Sequence, residues 1–221
     1  MKKQWEIAIR TTIVTLVLTG LIYPYVVTGL AQMLFPSQAN GTLIADKDGK
    51  AIGSEIIAQP FMNPAYLQPR PSSAGDKGWD GTSSGGSNLA VTSKKLQERV
   101  AADVKRLKEE NPDQPAAIPA ELVTASASGL DPDLSPAGAL WQVPRIAKAR
   151  KTSPDKIAGI INATVKDRTL GFIGEPRVNT VRVNLELDRQ FGRPTPIPGQ
   201  DRKEDKKEAA PAADAAAAQK Q

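Results

Sequence analysis

TTIVTLVLTGLIYPYVVTGLAQMLF, Thr11 to Phe35, is a run of 25 residues without a charge. As a helix it would rise about 37 Å, against about 30 Å for a hydrocarbon core. No second run of this kind follows, so the chain is expected to cross a membrane once. Lys2, Lys3 and Arg10 stand before it with one acid, Glu6, whereas Pro36 to Asp46 holds no Lys or Arg. Basic flanks stay on the cytoplasmic side. The expected layout is a cytoplasmic N-terminus (1–10), a transmembrane helix (11–35), an extracytoplasmic domain (36–190) and a disordered low-complexity tail (191–221). A cleaved signal peptide is the competing reading, since Gly29 and Ala31 form a small-x-small site. The apolar region exceeds the roughly 7–15 residues of a signal core, which favours an uncleaved anchor.

Composition narrows the chemistry. With anchor and tail set aside, roughly 150 residues remain, enough for one domain with its own core. The sequence has no Cys, so the domain must fold without disulfides, which fits a bacterial envelope protein better than a small secreted scaffold. It also has no His. That removes the commonest general base and metal ligand, and with them zinc chemistry and Ser-His or Cys-His catalysis. The net charge of +5 is spread along the chain. No basic block interleaved with aromatics points to nucleic acid.

Beyond the anchor, Thr42–Ala45 and Ala51–Ile57 flank Asp46-Lys47-Asp48-Gly49, the pattern of a hairpin. Pro60 to Ser87 is rich in Pro, Gly and Ser and predicts an irregular loop. Leu96, Val100, Val104 and Leu107 share one face of a helix from about Thr92 to Glu110, ended by Asn111-Pro112. Ser135-Pro136 opens a second helix that Pro144 kinks or restarts. Ser153-Pro154 opens a third, carrying Ile157, Ile160, Ile161 and Val165. Val181, Val183, Leu185 and Leu187 alternate with polar residues and predict a half-buried strand. The expected fold is a small α+β domain in which this last strand joins the early hairpin.

Each candidate site has two readings. Ser84, Gly85, Gly86, Ser87 and Asn88 precede a helix, where glycines and free amides attract anions. The Walker spacing is absent, however, and a tight turn capped by Asn88 or Thr92 explains the same residues. Ser126 and Ser128 are possible nucleophiles of a Ser-Lys hydrolase, but no Ser-x-x-Lys occurs. Asp131 and Asp133 lack the further oxygens a calcium ion needs and fit turn chemistry. Arg145, Lys148 and Lys151 recur every three residues as a docking stripe or a solvated face. Trp141 beside Gln142 is a core or interface anchor. Thr11, Thr15 and Thr19 recur every four residues beside Gly20, either to pack against another membrane helix or to bond their own helix.

Taken together, these motifs resemble the KdpC family, the C component of the Kdp potassium-transporting P-type ATPase. The carrying segments are Arg70-Pro-Ser72, Ser84-Gly-Gly-Ser-Asn-Leu89, Pro119-Ala-Glu-Leu-Val-Thr-Ala-Ser126, Ser128-Gly-Leu-Asp-Pro132 and Ser135-Pro136. They continue with Ala139-Leu-Trp-Gln-Val-Pro-Arg-Ile-Ala-Lys-Ala-Arg150, Gly171-Phe-Ile-Gly-Glu-Pro-Arg-Val-Asn179 and Val183-Asn-Leu-Glu-Leu-Asp188. The resemblance spans about residues 5 to 190. Ala90-Val91 and Thr180 depart from the family's usual residues, and the tail from Arg193 extends past its common ending.

The resemblance implies a non-catalytic accessory subunit without a firmly bound cofactor. Its implied partners are the A, B and F components of the Kdp complex: a potassium-channel-like subunit, an ATP-hydrolysing subunit and a small third one. They lie in membrane lipid, with potassium as the transported ion. The resemblance also implies a raised affinity of the complex for ATP, with Ser84–Asn88 and Gln142 as nucleotide contacts. Thr11, Thr15, Thr19, Trp141, Arg145 and Lys148 are the expected partner-docking residues. The charge asymmetry instead keeps the domain away from cytoplasmic ATP, so that any effect on ATP affinity runs through the other subunits. An envelope protein binding a small anion or nucleotide through the Gly-Gly loop is the alternative.

Overall fold

The computed structural model describes residues 2–45 and 49–195. α1 (Lys2–Val17), a π-helical turn (Leu18–Ile22) and α2 (Tyr23–Leu34) form one continuous helix, long and apolar enough to cross a membrane. None of its residues is buried. The helix starts well before the uncharged run, and Glu6 and Arg10 pair one turn apart in that leading segment. The wide turn has a local cause. Pro24 has no N–H to offer the Gly20 carbonyl, and its ring crowds that oxygen in an α-helix. A π turn, closed by the Tyr23 N–H on the Leu18 carbonyl, absorbs the mismatch without breaking the helix. Phe35 (φ −138°) ends α2, and Pro36 opens the short α3 (Pro36–Ala39). The side-chain amides of Gln32 and Asn40 bond reciprocally across this break, at 3.1 and 3.3 Å.

The expected hairpin is present as β1 (Leu43–Ala45) and β2 (Ala51–Ser54), paired antiparallel; its turn at Asp46–Asp48 lies outside the described residues. No regular element follows until α4 (Lys94–Glu110), whose N-cap position is Ser93 rather than Asn88 or Thr92. Then come a 3₁₀ turn (Ala120–Leu122) and β3 (Asp133–Leu134). α5 (Pro136–Trp141) and α6 (Val143–Arg150) confirm the Ser135-Pro136 start and the restart at Pro144. The Ser135 hydroxyl accepts the Gly138 N–H at 3.0 Å, closing the cap. A methyl at 138 would collide with Glu121 Oε1, so glycine there lets the carboxylate lie over the first turn of α5. α7 (Pro154–Thr164) buries Ile157, Ile160 and Ile161 as the periodicity predicts.

The final expected strand is instead a helix, α8 (Thr180–Phe191). Its buried residues include Thr180, Val183, Asn184 and Leu187, a three-and-four spacing. Two of these four are polar, which masks the helical stripe and leaves an apparent alternation. Asn179 caps it by accepting the Arg182 N–H at 3.0 Å. The hairpin therefore gains no third strand. β3 pairs with β4 (Val178–Asn179), and the hairpin is tied to this region through Asn179 Nδ2 on the Glu55 carbonyl, 2.8 Å, and an Arg182–Glu55 ion pair. The domain is α+β with far more helix than sheet. Its core gathers Leu67, Leu107, Leu134, Trp141, Ile146, Ile157, Ile161, Val178, Val183 and Leu187. The tail expectation falls mainly on residues 196–221, outside the described residues.

Candidate functional site

The segment Pro64–Gln68 leaves a turn, closed by the Tyr66 N–H on the Asn63 carbonyl at 3.0 Å, and forms no strand, yet its backbone groups are satisfied. Asn184 from α8 accepts the Leu67 N–H at 2.8 Å and donates to the Leu67 carbonyl at 2.9 Å. Gln142, between α5 and α6, treats the next residue alike: it accepts the Gln68 N–H at 3.0 Å and donates to its carbonyl at 2.9 Å. Two side-chain amides thus replace the neighbouring strand such a backbone requires. Arg145 reaches the Pro64 and Tyr66 carbonyls at 2.7 and 3.1 Å and the Gln142 Oε1 at 2.6 Å. Burial pushes its guanidinium down to about 10, opposed by Glu110 and assisted by Arg106. Arg150 bonds the Ala65, Leu187 and Gly192 carbonyls and pairs with Asp188 at 2.9 Å. Tyr66, under the Arg150 guanidinium, donates to Asp188 at 2.7 Å.

Three of the quoted motifs converge around Gly129. The Ser84 hydroxyl and the Gly85 N–H both donate to the Ser128 carbonyl, at 2.9 and 2.8 Å. The Ser72 hydroxyl donates to the Gly129 carbonyl at 2.6 Å. Gly129 has φ +67°, and a methyl there would lie 2.6 Å from the Gly85 oxygen and 2.7 Å from the Ala74 nitrogen. Ser126 and Ser128 accept the Gly129 and Leu130 N–H groups, so both hydroxyls close turns. Arg70 bonds the Thr124 and Ala125 carbonyls and reaches Asp131 at 3.5 Å. Asp131 also accepts the Asp133 N–H, while Asp133 pairs with Arg177 at 3.1 Å. An open groove of about 560 Å³ runs past Ile56, Ile57, Arg70, Ser84 and Leu130. The loop does not sit at a helix N-terminus, because α4 begins only at Lys94.

The model of the family described as "K+-transporting ATPase, c chain" matches residues 5–189. The chain belongs to the KdpC family. It is 54% identical over 191 residues to the potassium-transporting ATPase KdpC subunit of Myxococcus xanthus, covering 86% of this chain and 89% of that protein. The KdpC subunit of Koribacter versatilis is 47% identical over 196 residues, covering 89% of this chain and all of the relative. That of Bradyrhizobium diazoefficiens is 48% identical over 200 residues, with 86% and 98% covered.

In this KdpC-family chain the expected site residues are dispersed. Gln142 is only 1% exposed and bonds Gln68 and Arg145; among the described residues no hydrogen bond joins it to Ser84–Asn88. Asn88 is exposed with φ +47°. Arg145 is 5% exposed, so the basic stripe is not one surface. Lys148 is at the surface, paired with Asp113 at 2.9 Å, and Lys151 forms the left-handed C-cap of α6. Trp141 is a core residue whose indole N–H donates to the Ala116 carbonyl at 3.1 Å. Thr15 and Thr19 donate to the carbonyls four residues back, both at 2.7 Å, satisfying the hydroxyls within the helix. The residues that sequence reasoning missed are Asn184, Arg150 and Tyr66. Their signal was faint: a polar residue in an apolar stripe, and an arginine at a helix end.

Proposed function

We propose that this chain is a non-catalytic accessory subunit of a potassium-transporting ATPase in the bacterial inner membrane. It stands with its N-terminus in the cytoplasm and its domain on the extracytoplasmic face. There it holds the potassium-conducting, the ATP-hydrolysing and the small third subunit as one assembly, capping the potassium entrance. The observation that carries this reading is the contrast between helix and domain. The helix exposes apolar side chains on every side, whereas Ser126, Ser128, Gln142 and Arg145 are engaged on the chain's own backbone. The Thr11–Thr15–Thr19 side of the helix is the proposed intramembrane contact, since small residues allow close approach in lipid. Lys151, at the C-terminal end of α6, offers charge to an acidic partner surface, which Lys148 could join only by leaving Asp113. In this orientation a gain in ATP affinity is transmitted through the subunits.

Purification of the complex through a tag on the ATP-hydrolysing subunit tests the assignment: this chain should elute with it in mild detergent, and its loss in the first wash would refute it. Orientation is tested separately. The chain has no native Cys, so Ser87→Cys gives a single reporter. An impermeant thiol reagent should label it in intact cells, and protection until lysis would place the domain inside.

A second reading puts a small anion or nucleotide at Ser84–Asn88, favoured by the open groove beside Ser84 and Arg70. Calorimetry of the solubilised chain with ATP and with inorganic phosphate distinguishes it, because the accessory reading expects no heat from either.

A further inference from the structure

The hairpin and α8 do not close on each other. Between them lies a pocket of about 240 Å³, walled by Ile44, Ile52, Phe61, Val181 and Leu185. Ile52 leaves 40% of its surface open and Leu185 37%. Two polar residues of the lining, Tyr66 and Asp188, bond each other at 2.7 Å. What remains is an apolar wall open to water, which gains free energy when an apolar side chain covers it.

The chain's own exit from α8 leads to this pocket. Gly192 (φ +79°) turns the backbone out of the helix, and Arg193 lines the pocket. The Thr195 carbonyl then accepts a hydrogen bond from Asn63 Nδ2 at 3.1 Å, close in sequence to Phe61 of the wall. Two residues further stands Ile197. It is the last large apolar residue of the chain, because only Pro, Gly, Ala and polar or charged residues follow it. Two residues of extended backbone reach about 7 Å.

We propose that Ile197 seats in this pocket, so that Pro196-Ile197-Pro198 forms a strap holding the hairpin against α8. Pro194, Pro196 and Pro198 restrict the residue before each to extended backbone. Less freedom is therefore lost when the strap is laid down. Residues 194–200 carry no charge, so none is drawn from water onto the apolar wall. The tether selects the occupant. A side chain joined so close to the pocket meets it at an effective concentration of about millimolar or more. A segment of another subunit, or of a second copy, would have to displace it. The strap links the end of the domain to the strand that first follows α2. It stands independently of the role in potassium transport.

The full chain in detergent serves for the test, since it has no native Cys. Ile197→Cys is combined with Ile52→Cys, with Leu185→Cys, or with Val91→Cys as a control at an 85% exposed site. Ile52, Leu185 and Val91 all lie outside the buried core. Copper phenanthroline should close an intrachain disulfide with position 52 or 185 about tenfold faster than with position 91. Equal rates at all three, or a cross-linked dimer in place of the intrachain product, overturns the strap. Ile197→Asp alone supplies an independent arm, read by hydrogen exchange. Amides of Ala51–Ser54 should exchange about tenfold faster, while the Leu67 N–H, held by Asn184, keeps its rate. Unchanged exchange at Ala51–Ser54 overturns the proposal, and so does equal acceleration at both places, which is general loosening. Neither measurement involves another subunit, so the accessory assignment stands or falls separately.

Discussion

Gly129 shows how one missing methyl joins three loops. Its left-handed φ and the sub-contact distances a Cβ would create leave no conservative replacement. Gly129→Ala is expected to destabilise the domain by about 3 kcal/mol, read as a lower urea midpoint of tryptophan fluorescence in detergent. Gly85→Ala, where a methyl meets nothing, should fall within about 0.5 kcal/mol of the parent. Tyr66 carries a pH signature. Burial, and then its bond to Asp188, raise its hydroxyl well above the ordinary value. An unfolded tyrosine ionises near pH 10. Below that pH both states keep the proton and the stabilisation is whole; above it the unfolded chain ionises first, so stability declines as pH rises toward the folded value. Tyr66→Phe should cost about 1–2 kcal/mol at neutral pH and flatten the alkaline decline in denaturation midpoints.

At the scale of elements, α6 and α8 are joined less by packing alone than by Arg150. One buried guanidinium meets three carbonyls and a carboxylate and lies over the Tyr66 ring. A lysine cannot reproduce that planar fork. Arg150→Lys should therefore cost about 3 kcal/mol or more, and loss of the cooperative thermal transition by circular dichroism checks it. Elements that announce themselves by capping and apolar spacing were legible in the chain: the long apolar N-terminal helix, the hairpin, α5, α6 and α7. Ser135-Pro136 and Ser153-Pro154 mark helix starts whatever surrounds them. α8 was not legible, because Thr180 and Asn184 occupy core positions on account of bonds to the Pro132 and Leu67 backbones. Those partners lie far away in sequence. The same remoteness concealed the clamp: Gln142 read as a nucleotide contact and Arg145 as part of a docking stripe or solvated face until Pro64–Gln68 is laid against them. The candidate loop was legible as a convergence of Ser and Gly, but not the late start of α4, since Ser93 closes the first turn through its carbonyl alone.

For the molecule as a whole, the described residues divide into a helix that buries nothing of itself and a domain whose middle is held by its end. Leu67 is 117 positions from Asn184, and Gln68 is 74 positions from Gln142. Ending the chain after Asn179 removes Asn184 and Asp188, so Pro64–Gln68 should become rapidly cleavable by added protease. Ending it after Thr195 retains every clamp and should leave that segment resistant. Comparison of the two fragments by limited proteolysis and mass spectrometry decides the matter.

This dependence also sets an order in time. A ribosome delivers the chain from its first residue, and the long apolar N-terminal helix is complete while α8 has yet to be made. Through that interval the segment at Pro64–Gln68 has neither its Asn184 partner from α8 nor the Arg150–Asp188 closure. The newborn domain should thus stay open to protease at Pro64–Gln68 until nearly the whole of it has been synthesised. Quality control in the cell is offered a simple signal, since a chain abandoned early betrays itself by an open middle.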